Sequence, residues 1–466
     1  MRGDWNKYLP YLPPLAAVLA AIALGWWWSS RTDAGLVMRV PGRDAAPTGE
    51  HAANPIPSGQ LIASDARPEE LPGAWPQFRG PNRDGIAPPP DSLSRDWQGA
   101  PPRPLWSLDL GEGYAGPAIH RGRVYLWDYD ATARRSALRC LSLADGRELW
   151  RFSYPHFIKR NHGMTRTVPA LTDRWVVGLD SKCNVLCLDA ISGALQWSRS
   201  LVHDFGAAVP DWYTGQCPLI EDGKLILAPG GRDALLIALD AATGKVLWRT
   251  PNPRGWKMTH SSIMPMEFAG RRLYLYCASG GVVGVDARDG ALLFETSDWK
   301  IAIATVPSPL PLPGGRIFFT GGYNAGSLMA QLEPANGRFT LKTLFRLPPS
   351  VFGATQHTPI FRDEHLYGVR ADGRFVCLTT DGKVVWASGP AETFGLGSFL
   401  MAGDVMFALN DTGRLSLIAA TPARWQHLAQ TRVLHGRESW APMALAGNRL
   451  LARDLTRLVC LDVSAR

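Results

Sequence analysis

A phrase that recurs along the sequence beyond residue 100 constrains the fold more than any other feature. It consists of a strand, a turn and a second strand that ends on an aromatic residue. Clear copies are Cys187-Leu-Asp-Ala-Ile-Ser-Gly-Ala-Leu-Gln-Trp197 and Ala238-Leu-Asp-Ala-Ala-Thr-Gly-Lys-Val-Leu-Trp248. The phrase returns roughly every 40 to 50 residues, which is the spacing of β-propeller blades. Glycine in the turn supplies the positive φ that a tight hairpin requires.

A second phrase alternates with the first and completes each repeat. It begins with proline and continues as an apolar stretch, a turn and another apolar strand. Examples are Pro117-Ala-Ile-His-Arg-Gly-Arg-Val-Tyr-Leu126 and Pro218-Leu-Ile-Glu-Asp-Gly-Lys-Leu-Ile-Leu227. Two hairpins per repeat make a four-stranded antiparallel blade, and radial packing buries the blade faces. The sequence therefore predicts an all-β propeller over residues 73–466.

Counting the aromatic residues that close each repeat gives the number of blades. The last repeat stops at Cys460-Leu-Asp-Val463, before any closing strand, whereas Trp106 closes a strand that has no repeat before it. We therefore expect residues 105–110 to supply the outer strand of the last blade and to close a ring of eight blades. The closing aromatics are predicted to be structural, packing between blades: Trp106, Trp150, Trp197, Trp248, Phe294, Phe345, Trp386 and Trp425.

The N-terminal region has a different composition. After a short, cytoplasmic N-terminus at residues 1–8, residues 9–28 carry no charge and are long enough to cross a bilayer as one helix. The alternative is a cleaved signal peptide, but Trp26, Trp27 and Trp28 stand where small residues are needed for cleavage. An uncleaved transmembrane anchor is therefore favoured. Residues 29–72 are rich in Pro, Gly, Ala and Ser and are predicted to form a linker.

Charge and cysteine usage exclude some classes of protein. The formal net charge of +8 is carried mainly by scattered arginines, without the clustered basic stripe of a nucleic-acid-binding protein. The cysteines recur at equivalent repeat positions, as in Cys140 and Cys377, and are predicted to pack as small apolar side chains. A disulfide between Cys183 and Cys187 is the alternative for that pair.

The repeat phrase resembles the tryptophan-docking motif of the pyrroloquinoline quinone (PQQ) propellers. Trp75-Pro-Gln-Phe-Arg-Gly-Pro-Asn-Arg-Asp-Gly85 and Leu110-Gly-Glu-Gly-Tyr114 are similar to segments of the PQQ-like repeat proteins of bacterial envelopes. The resemblance covers residues 73–466. It implies a body in the periplasm, tethered to the bacterial inner membrane. The broad family includes quinoprotein dehydrogenases and the lipoprotein scaffold of the outer-membrane barrel-assembly machine.

The resemblance implies two possible functions. A quinoprotein dehydrogenase holds PQQ over Ca²⁺, which takes six or more oxygen ligands, and needs an Asp as general base. The residues expected to face the central funnel contain one carboxylate, so we expect neither PQQ nor Ca²⁺ and no catalytic residue. These candidate binding residues are Tyr114, Arg166, Gln216, His260, Gln356, His357, Glu438 and Trp440.

The function predicted from the sequence is therefore that of a protein–protein interaction scaffold or accessory subunit of a membrane or envelope complex. A PQQ-dependent oxidoreductase and a propeller that senses a small anion are the alternatives. His162, His260 and His357 would form a metal site if the funnel were narrow. No nucleic-acid partner is expected.

Overall fold

The structure is a computed structural model that describes residues 11–30 and 54–465. The chain divides into two units, Met1–Arg43 and Asp44–Arg466. In the first unit, helix α1 spans Leu12–Ser30. None of the helices within the described ranges combines the length and apolar character that a membrane crossing needs, so the predicted transmembrane span at 9–28 is not supported. The predicted cytoplasmic residues 1–8 and residues 31–53 of the predicted linker lie outside the described residues.

The second unit is an all-β propeller of eight sheets. Three strands precede the repeats: β1 (Gln60–Ala63), β2 (Ile86–Ala87) and β3 (Arg103–Asp109). The strands of the first four blades are β4 (Ala118–His120), β5 (Arg123–Asp130), β6 (Arg135–Ser142), β7 (Glu148–Pro155); β8 (Ala170–Leu171), β9 (Trp175–Leu179), β10 (Asn184–Asp189), β11 (Leu195–Ser200); β12 (Leu219–Glu221), β13 (Lys224–Leu227), β14 (Leu236–Asp240), β15 (Val246–Thr250); and β16 (Met264–Phe268), β17 (Arg271–Ala278), β18 (Gly281–Asp286), β19 (Leu292–Thr296). Those of the last four are β20 (Leu310–Pro311), β21 (Arg316–Gly321), β22 (Gly326–Ala335), β23 (Arg338–Leu347); β24 (Ile360–Arg362), β25 (His365–Val369), β26 (Phe375–Thr379), β27 (Val384–Ala387); β28 (Phe399–Ala402), β29 (Val405–Leu409), β30 (Arg414–Ala419), β31 (His427–Arg432); and β32 (Ala444–Ala446), β33 (Arg449–Arg453), β34 (Arg457–Asp462).

The last blade joins the two ends of the ring. Strand β3 pairs antiparallel with β34, with Arg103 opposite Asp462 and Trp106 opposite Cys460. The blade is therefore completed by a strand that lies before the first repeat in the sequence. Both the eight-bladed architecture and this closure confirm the predictions from the repeat pattern.

Two blades carry a fifth strand that the repeat did not predict. Strand β1 pairs antiparallel with β7 at the outer edge of the first blade, and β2 pairs parallel with β28 at the inner edge of the seventh. Ile56, just before β1, is fully buried. Within the predicted linker at 29–72, Gln60–Ala63 therefore adds to the first blade as a strand.

Each closing tryptophan of the early blades packs on the hairpin glycine of the next blade. The indole Nε1 of Trp197 donates a hydrogen bond to the carbonyl oxygen of Ala241 at 3.0 Å. A Cβ on Gly244, whose φ is +67°, would lie 2.7 Å from the Trp197 ring. Glycine is needed there both for the positive φ and for the close approach of the indole. The same pairing recurs in Trp106–Gly146, Trp150–Gly193, Trp248–Gly290 and Phe345–Gly382.

A short helix and two turns complete the described structure. Helix α2 (Leu201–Phe205) begins at Ser200, whose hydroxyl accepts a hydrogen bond from the His203 amide. Single 3-10 turns lie at Ile56–Ser58 and Pro313–Gly315. All seven cysteines are buried free thiols, and Cys183 and Cys187 are not joined.

Candidate functional site

Residues 73–90 cross the centre of the ring and form a floor in its channel; we call them the channel segment. The Trp75 amide donates to the Ile119 carbonyl at 2.9 Å, in the first blade. The Leu171 amide of the second blade donates to the Pro76 carbonyl at 2.8 Å. Further along, the Met401 amide of the seventh blade donates to the Gly85 carbonyl at 2.9 Å. The segment is therefore attached to the inner strands of blades on both sides of the channel.

The channel segment enters and leaves on one face of the ring. Gly73 packs against Gly447, in the turn between β32 and β33, so closely that a Cβ would not fit. Pro89 lies beside Gly403, in the turn between β28 and β29. Both turns join the first and second strands of a blade. The opposite face, where the inner strands begin, is the face on which the channel stays open, and we call it the mouth face.

Two arginines attach the channel segment to the remaining walls. Arg79 donates to the carbonyl oxygens of Thr358 at 2.6 Å and Pro359 at 2.9 Å, in the sixth blade. Arg83, which is fully buried, donates to the Pro218 carbonyl at 3.0 Å, in the third blade. Burial lowers the pKa of each guanidinium to about 10, so both remain protonated at neutral pH.

Above this floor lies a cavity of about 460 Å³. Its walls combine aromatic rings with basic side chains. The aromatic lining residues are Trp75, Phe78, Tyr114, Trp212, Tyr323, Phe399 and Trp440, and the basic ones are Arg79, His162, Arg166, His260 and His357. Within the described part of the chain, no Asp or Glu belongs to this lining. The cavity therefore has largely apolar, aromatic walls, and the ionisable side chains in its lining are mainly basic.

The structure brings together most of the residues predicted to face the funnel. Tyr114, Arg166, His260, Gln356, His357 and Trp440 line the cavity.

Two of the residues predicted to face the funnel, Gln216 and Glu438, do not line the cavity. Gln216 is fully buried, and its amide group bonds the carbonyl and amide of Ala228 at 3.1 and 2.8 Å, so its side chain points into the third blade. The residue that lines the cavity there is its neighbour Cys217. Glu438 lies outside the lining.

An aromatic pair stands at the junction of the last and first blades. The rings of Tyr114 and Trp440 stack with centroids 5.3 Å apart. The Tyr114 hydroxyl donates to the Glu438 carboxylate, and the Trp440 indole Nε1 donates to Asp411 Oδ1 at 2.8 Å. Burial and the adjacent Glu438 raise the pKa of Tyr114, so its hydroxyl remains a donor. The two carboxylates therefore hold the aromatic pair in place instead of facing the cavity.

Arg166 is held in the wall by backbone carbonyls. Its guanidinium donates to Asn161 at 2.8 Å, His162 at 2.9 Å and Gly163 at 3.4 Å, and its Cζ lies 5.9 Å from the centroid of the Tyr114 ring. Burial lowers its pKa to about 10. The guanidinium is therefore charged at neutral pH and fixed in orientation before any ligand arrives.

Two of the three lining histidines, His260 and His357, are neutral at pH 7. His260 Nε2 bonds the Tyr213 carbonyl at 2.9 Å, and His357 Nε2 bonds the Leu396 carbonyl at 3.1 Å. Burial, followed by the nearby Arg166 charge, lowers the pKa of His260 to about 4. Burial also lowers the pKa of His357. Of the lining side chains described here, Arg79 and Arg166 are therefore the ones that carry a positive charge at neutral pH.

The lining does not fit a PQQ–Ca²⁺ centre. Ca²⁺ requires several carboxylate or carbonyl oxygens, and the carboxylate nearest to the aromatic pair, Glu438, is engaged by Tyr114. The described residues contain no group of three or more His, Cys, Asp or Glu side chains that could hold a metal ion. His162, His260 and His357 therefore do not make up such a group.

The floor of the cavity was missed by reasoning from the sequence. Trp75, Phe78 and Arg79 precede the repeats and follow no strand period. Their resemblance to a family segment does not indicate that they cross the channel. Two arginines and two aromatic residues in eleven residues of non-repeat chain were the available signal.

The comparisons with known proteins agree with this fold. Residues 133–301 match the profile of the family described as PQQ_2, outer membrane protein assembly factor BamB, which confirms the resemblance to PQQ-like repeats. The crystal structure of BamB from Moraxella catarrhalis superimposes with a TM-score of 0.52 at 15% identity, covering 78% of this chain and 99% of that one. At this identity the likeness shows the fold alone.

Two curated relatives match parts of the sequence. The serine/threonine-protein kinase AfsK of Streptomyces griseus is 29% identical over 258 residues, which is 52% of this chain and 28% of the kinase. The quinohemoprotein alcohol dehydrogenase ADH IIB of Pseudomonas putida is 30% identical over 158 residues, 31% of this chain and 21% of the dehydrogenase. The chain thus spans less than a third of the length of either relative.

Proposed function

We propose that the protein is an interaction scaffold or accessory subunit of a complex in the bacterial cell envelope, with its propeller in the periplasm. A propeller is a rigid support on which loops of different length present a surface to partners. In this proposal the mouth face is the contact surface. The profile match of residues 133–301 to the family described as outer membrane protein assembly factor BamB supports a binding role.

The observation that carries the proposal is the exposure of apolar side chains on the mouth face. Phe157 is 60% exposed, Ile303 56%, Tyr323 48% and Val209 37%. All four lie in segments that emerge where the inner strands begin. Exposed aromatic and aliphatic groups of this size, surrounded by polar loops, are typical of protein contact sites.

Phe157 is the strongest candidate for a contact residue. The Cζ of Arg134 lies 5.5 Å from its ring centroid and the Nζ of Lys182 lies 5.8 Å away. An exposed ring flanked by two cations suits a partner surface that offers an apolar pocket beside carboxylates. We therefore expect the partner to be acidic where it meets the first two blades.

The experiment is photo-crosslinking in native membranes with a benzophenone amino acid at Phe157. Ile191 is the matched control because it is also 60% exposed but lies in the turn between β10 and β11, on the opposite face. Crosslinks of discrete mass from position 157, absent from position 191, are the expected result. Equal labelling from the two positions, or none from either, would count against the mouth face as the contact surface.

Cell fractionation tests the proposed location. The protein should remain with membrane or periplasmic fractions, and its propeller should be accessible to a periplasmic protease. Recovery in the cytoplasm with a protease-protected propeller would contradict the envelope assignment.

A further inference from the structure

The first blade has an outermost strand that lies beyond the four-stranded plan of the repeat. Strand β1 adds to the outside of β7, whereas the other seven blades end on their fourth strand among the described residues. β1 therefore projects from the rim of the ring by one strand spacing, about 4.8 Å. All four of its residues, Gln60–Ala63, are exposed.

The outer edge of β1 carries backbone groups that no described strand bonds. The Ser64 amide donates to the Leu149 carbonyl at 2.9 Å, so the backbone groups of every second residue, including those of Ile62, point to β7. The amides and carbonyls of Leu61 and Ala63 point outward, and the described strands place no neighbour on that side. Two donors and two acceptors are therefore available to a further strand.

β1 also lacks the features that protect exposed edges from pairing. Sheet edges are usually kept apart by charged side chains or proline. The outermost strands of the other blades contain one or the other, except β27, which follows directly after Lys383. Gln60–Ala63 contains neither, and Leu61 and Ile62 are 40% and 57% exposed. The strand is therefore both open to pairing and apolar.

This edge is complementary to an antiparallel copy of itself. When Ile62 lies on a two-fold axis, Leu61 of one copy is opposite Ala63 of the other, and the outward groups of the two strands meet in four hydrogen bonds. The two Ile62 side chains then lie side by side, with about 4.5–5.5 Å between their Cβ atoms, and cover each other from water. Identical chains most often associate in this way, by using one patch twice around a two-fold axis.

We propose that the protein forms a dimer through β1, with Ile62 at the two-fold axis. Blade strands run from one face of the ring to the other, so antiparallel pairing turns the mouth faces of the two copies to opposite sides and leaves both uncovered. The contact is small beside the roughly 1,200–2,000 Å² that stable complexes bury, so the dimer dissociates reversibly. The inference goes beyond the proposed scaffold role and does not rest on it.

Sedimentation equilibrium of the purified full-length protein measures the dimer. We expect a monomer–dimer equilibrium in the micromolar range, and Ile62→Lys should raise its Kd at least about tenfold because two like charges then lie opposite each other. Val385→Lys is the matched control, since Val385 is 41% exposed on β27, the outermost strand of the sixth blade. The control should dimerise like the wild type. A wild-type protein that stays monomeric up to about 1 mM, or equal effects of the two lysine variants, would overturn the proposal.

A proline at Ala63 tests the backbone pairing. The Ala63 amide points away from β7, so Ala63→Pro should leave the free energy of unfolding nearly unchanged, as proline does on the free side of an edge strand. It removes two of the four intermolecular hydrogen bonds, one from each copy, and should raise the Kd at least about tenfold. In the wild type, hydrogen exchange at the Leu61 and Ala63 amides should slow as the protein concentration rises. A dimer in which these two amides stay unprotected would show that another surface forms the contact.

A cysteine at the two-fold axis tests the register. Ile62→Cys places two thiols in a non-hydrogen-bonded pair, whose Cα atoms lie about 4.5 Å apart, within the roughly 4.4–6.8 Å that disulfides span. The seven native cysteines are buried and do not compete for the oxidant. With oxidised glutathione, Ile62→Cys should form covalent dimers at least about tenfold faster than Val385→Cys. Similar rates in the two variants would overturn β1 as the interface.

Discussion

The ring of blades and the channel segment are built in different ways. In the ring, the same contact is repeated: a closing aromatic packs on the next blade's hairpin glycine, as Trp197 does on Gly244. The channel segment uses contacts that occur once, such as Arg79 with the sixth blade and Arg83 with the third. Repeated contacts hold the blades together, whereas the floor of the cavity is held by contacts that occur only once.

The residues that stabilise the ring also differ from the residues that line the cavity. The walls are formed by the repeated blades, but the lining combines wall residues such as Arg166 with floor residues such as Trp75 and Arg79. A change in the floor alters what the cavity can bind without altering how the blades pack. Substitutions in the two regions should therefore have different signatures.

The largest effect is expected for a closing aromatic of the ring. Trp150 is buried, packs against Tyr125 with centroids 5.9 Å apart, and donates to the Ala190 carbonyl at 3.3 Å. Trp150→Ala should lower the free energy of unfolding by about 4 kcal/mol, because it opens a large cavity in the core. The measurement is denaturant unfolding. Phe157→Ala, at an exposed ring, should change stability by less than about 0.5 kcal/mol, and similar losses in the two variants would refute the role of the closing aromatics.

A smaller and more local effect is expected in the channel segment. Arg83→Met leaves the Pro218 carbonyl without its donor and should cost about 2 kcal/mol. Hydrogen exchange should accelerate at the amides of Ile119, Leu171 and Met401, which bond the segment. The amides of outer strands should stay protected.

The control for this variant is Arg95→Met, which removes an exposed ion pair with Asp404 and should cost less than about 0.5 kcal/mol. Uniform loss of protection throughout the ring of the Arg83 variant would show that the channel segment is part of the cooperative core of the blades.

The contact between tryptophan and glycine can be tested separately from the positive φ of the turn. Gly244 and Gly223 both have positive φ, +67° and +72°, but a Cβ would meet an indole only at Gly244. Gly244→Ala should therefore cost about 1 kcal/mol more than Gly223→Ala, since the backbone strain is common to both. Thermal unfolding of the two variants measures the difference. Equal costs would mean that the glycine serves the turn alone.

The most gradual effect is expected for pH. The folded pKa of His260 is lowered to about 4 from an ordinary value of 6.5, so the unfolded chain binds more protons between these values. The free energy of unfolding should therefore fall as the pH is lowered from about 6.5 to about 4, and the contribution is fully present above 6.5. His260→Gln should reduce the slope of stability against pH in this window. An unchanged slope would contradict the burial of a neutral imidazole.

The sequence determined the ring almost completely. Turn glycines such as Gly244, closing aromatics such as Trp248 and the unpaired strand at Trp106 are local signals that recur at a fixed spacing, and they predicted eight blades and their closure. The same spacing placed Arg166, His260, His357 and Trp440 at equivalent starts of inner strands. The scarcity of carboxylates at those positions, on which the expectation of no Ca²⁺ site rests, was also visible in the sequence.

Only the tertiary structure decided the path of residues 73–90 and the exact orientation of individual side chains. The contacts of Arg79 with Thr358 and of Arg83 with Pro218 join residues far apart in the sequence, and no periodic pattern records them. Gln216 turned into its blade because Ala228 offers both a donor and an acceptor there, a match invisible to spacing alone. The repeat determines how each blade packs against its neighbour. A segment that crosses the channel once is positioned by the sum of its contacts with the assembled ring.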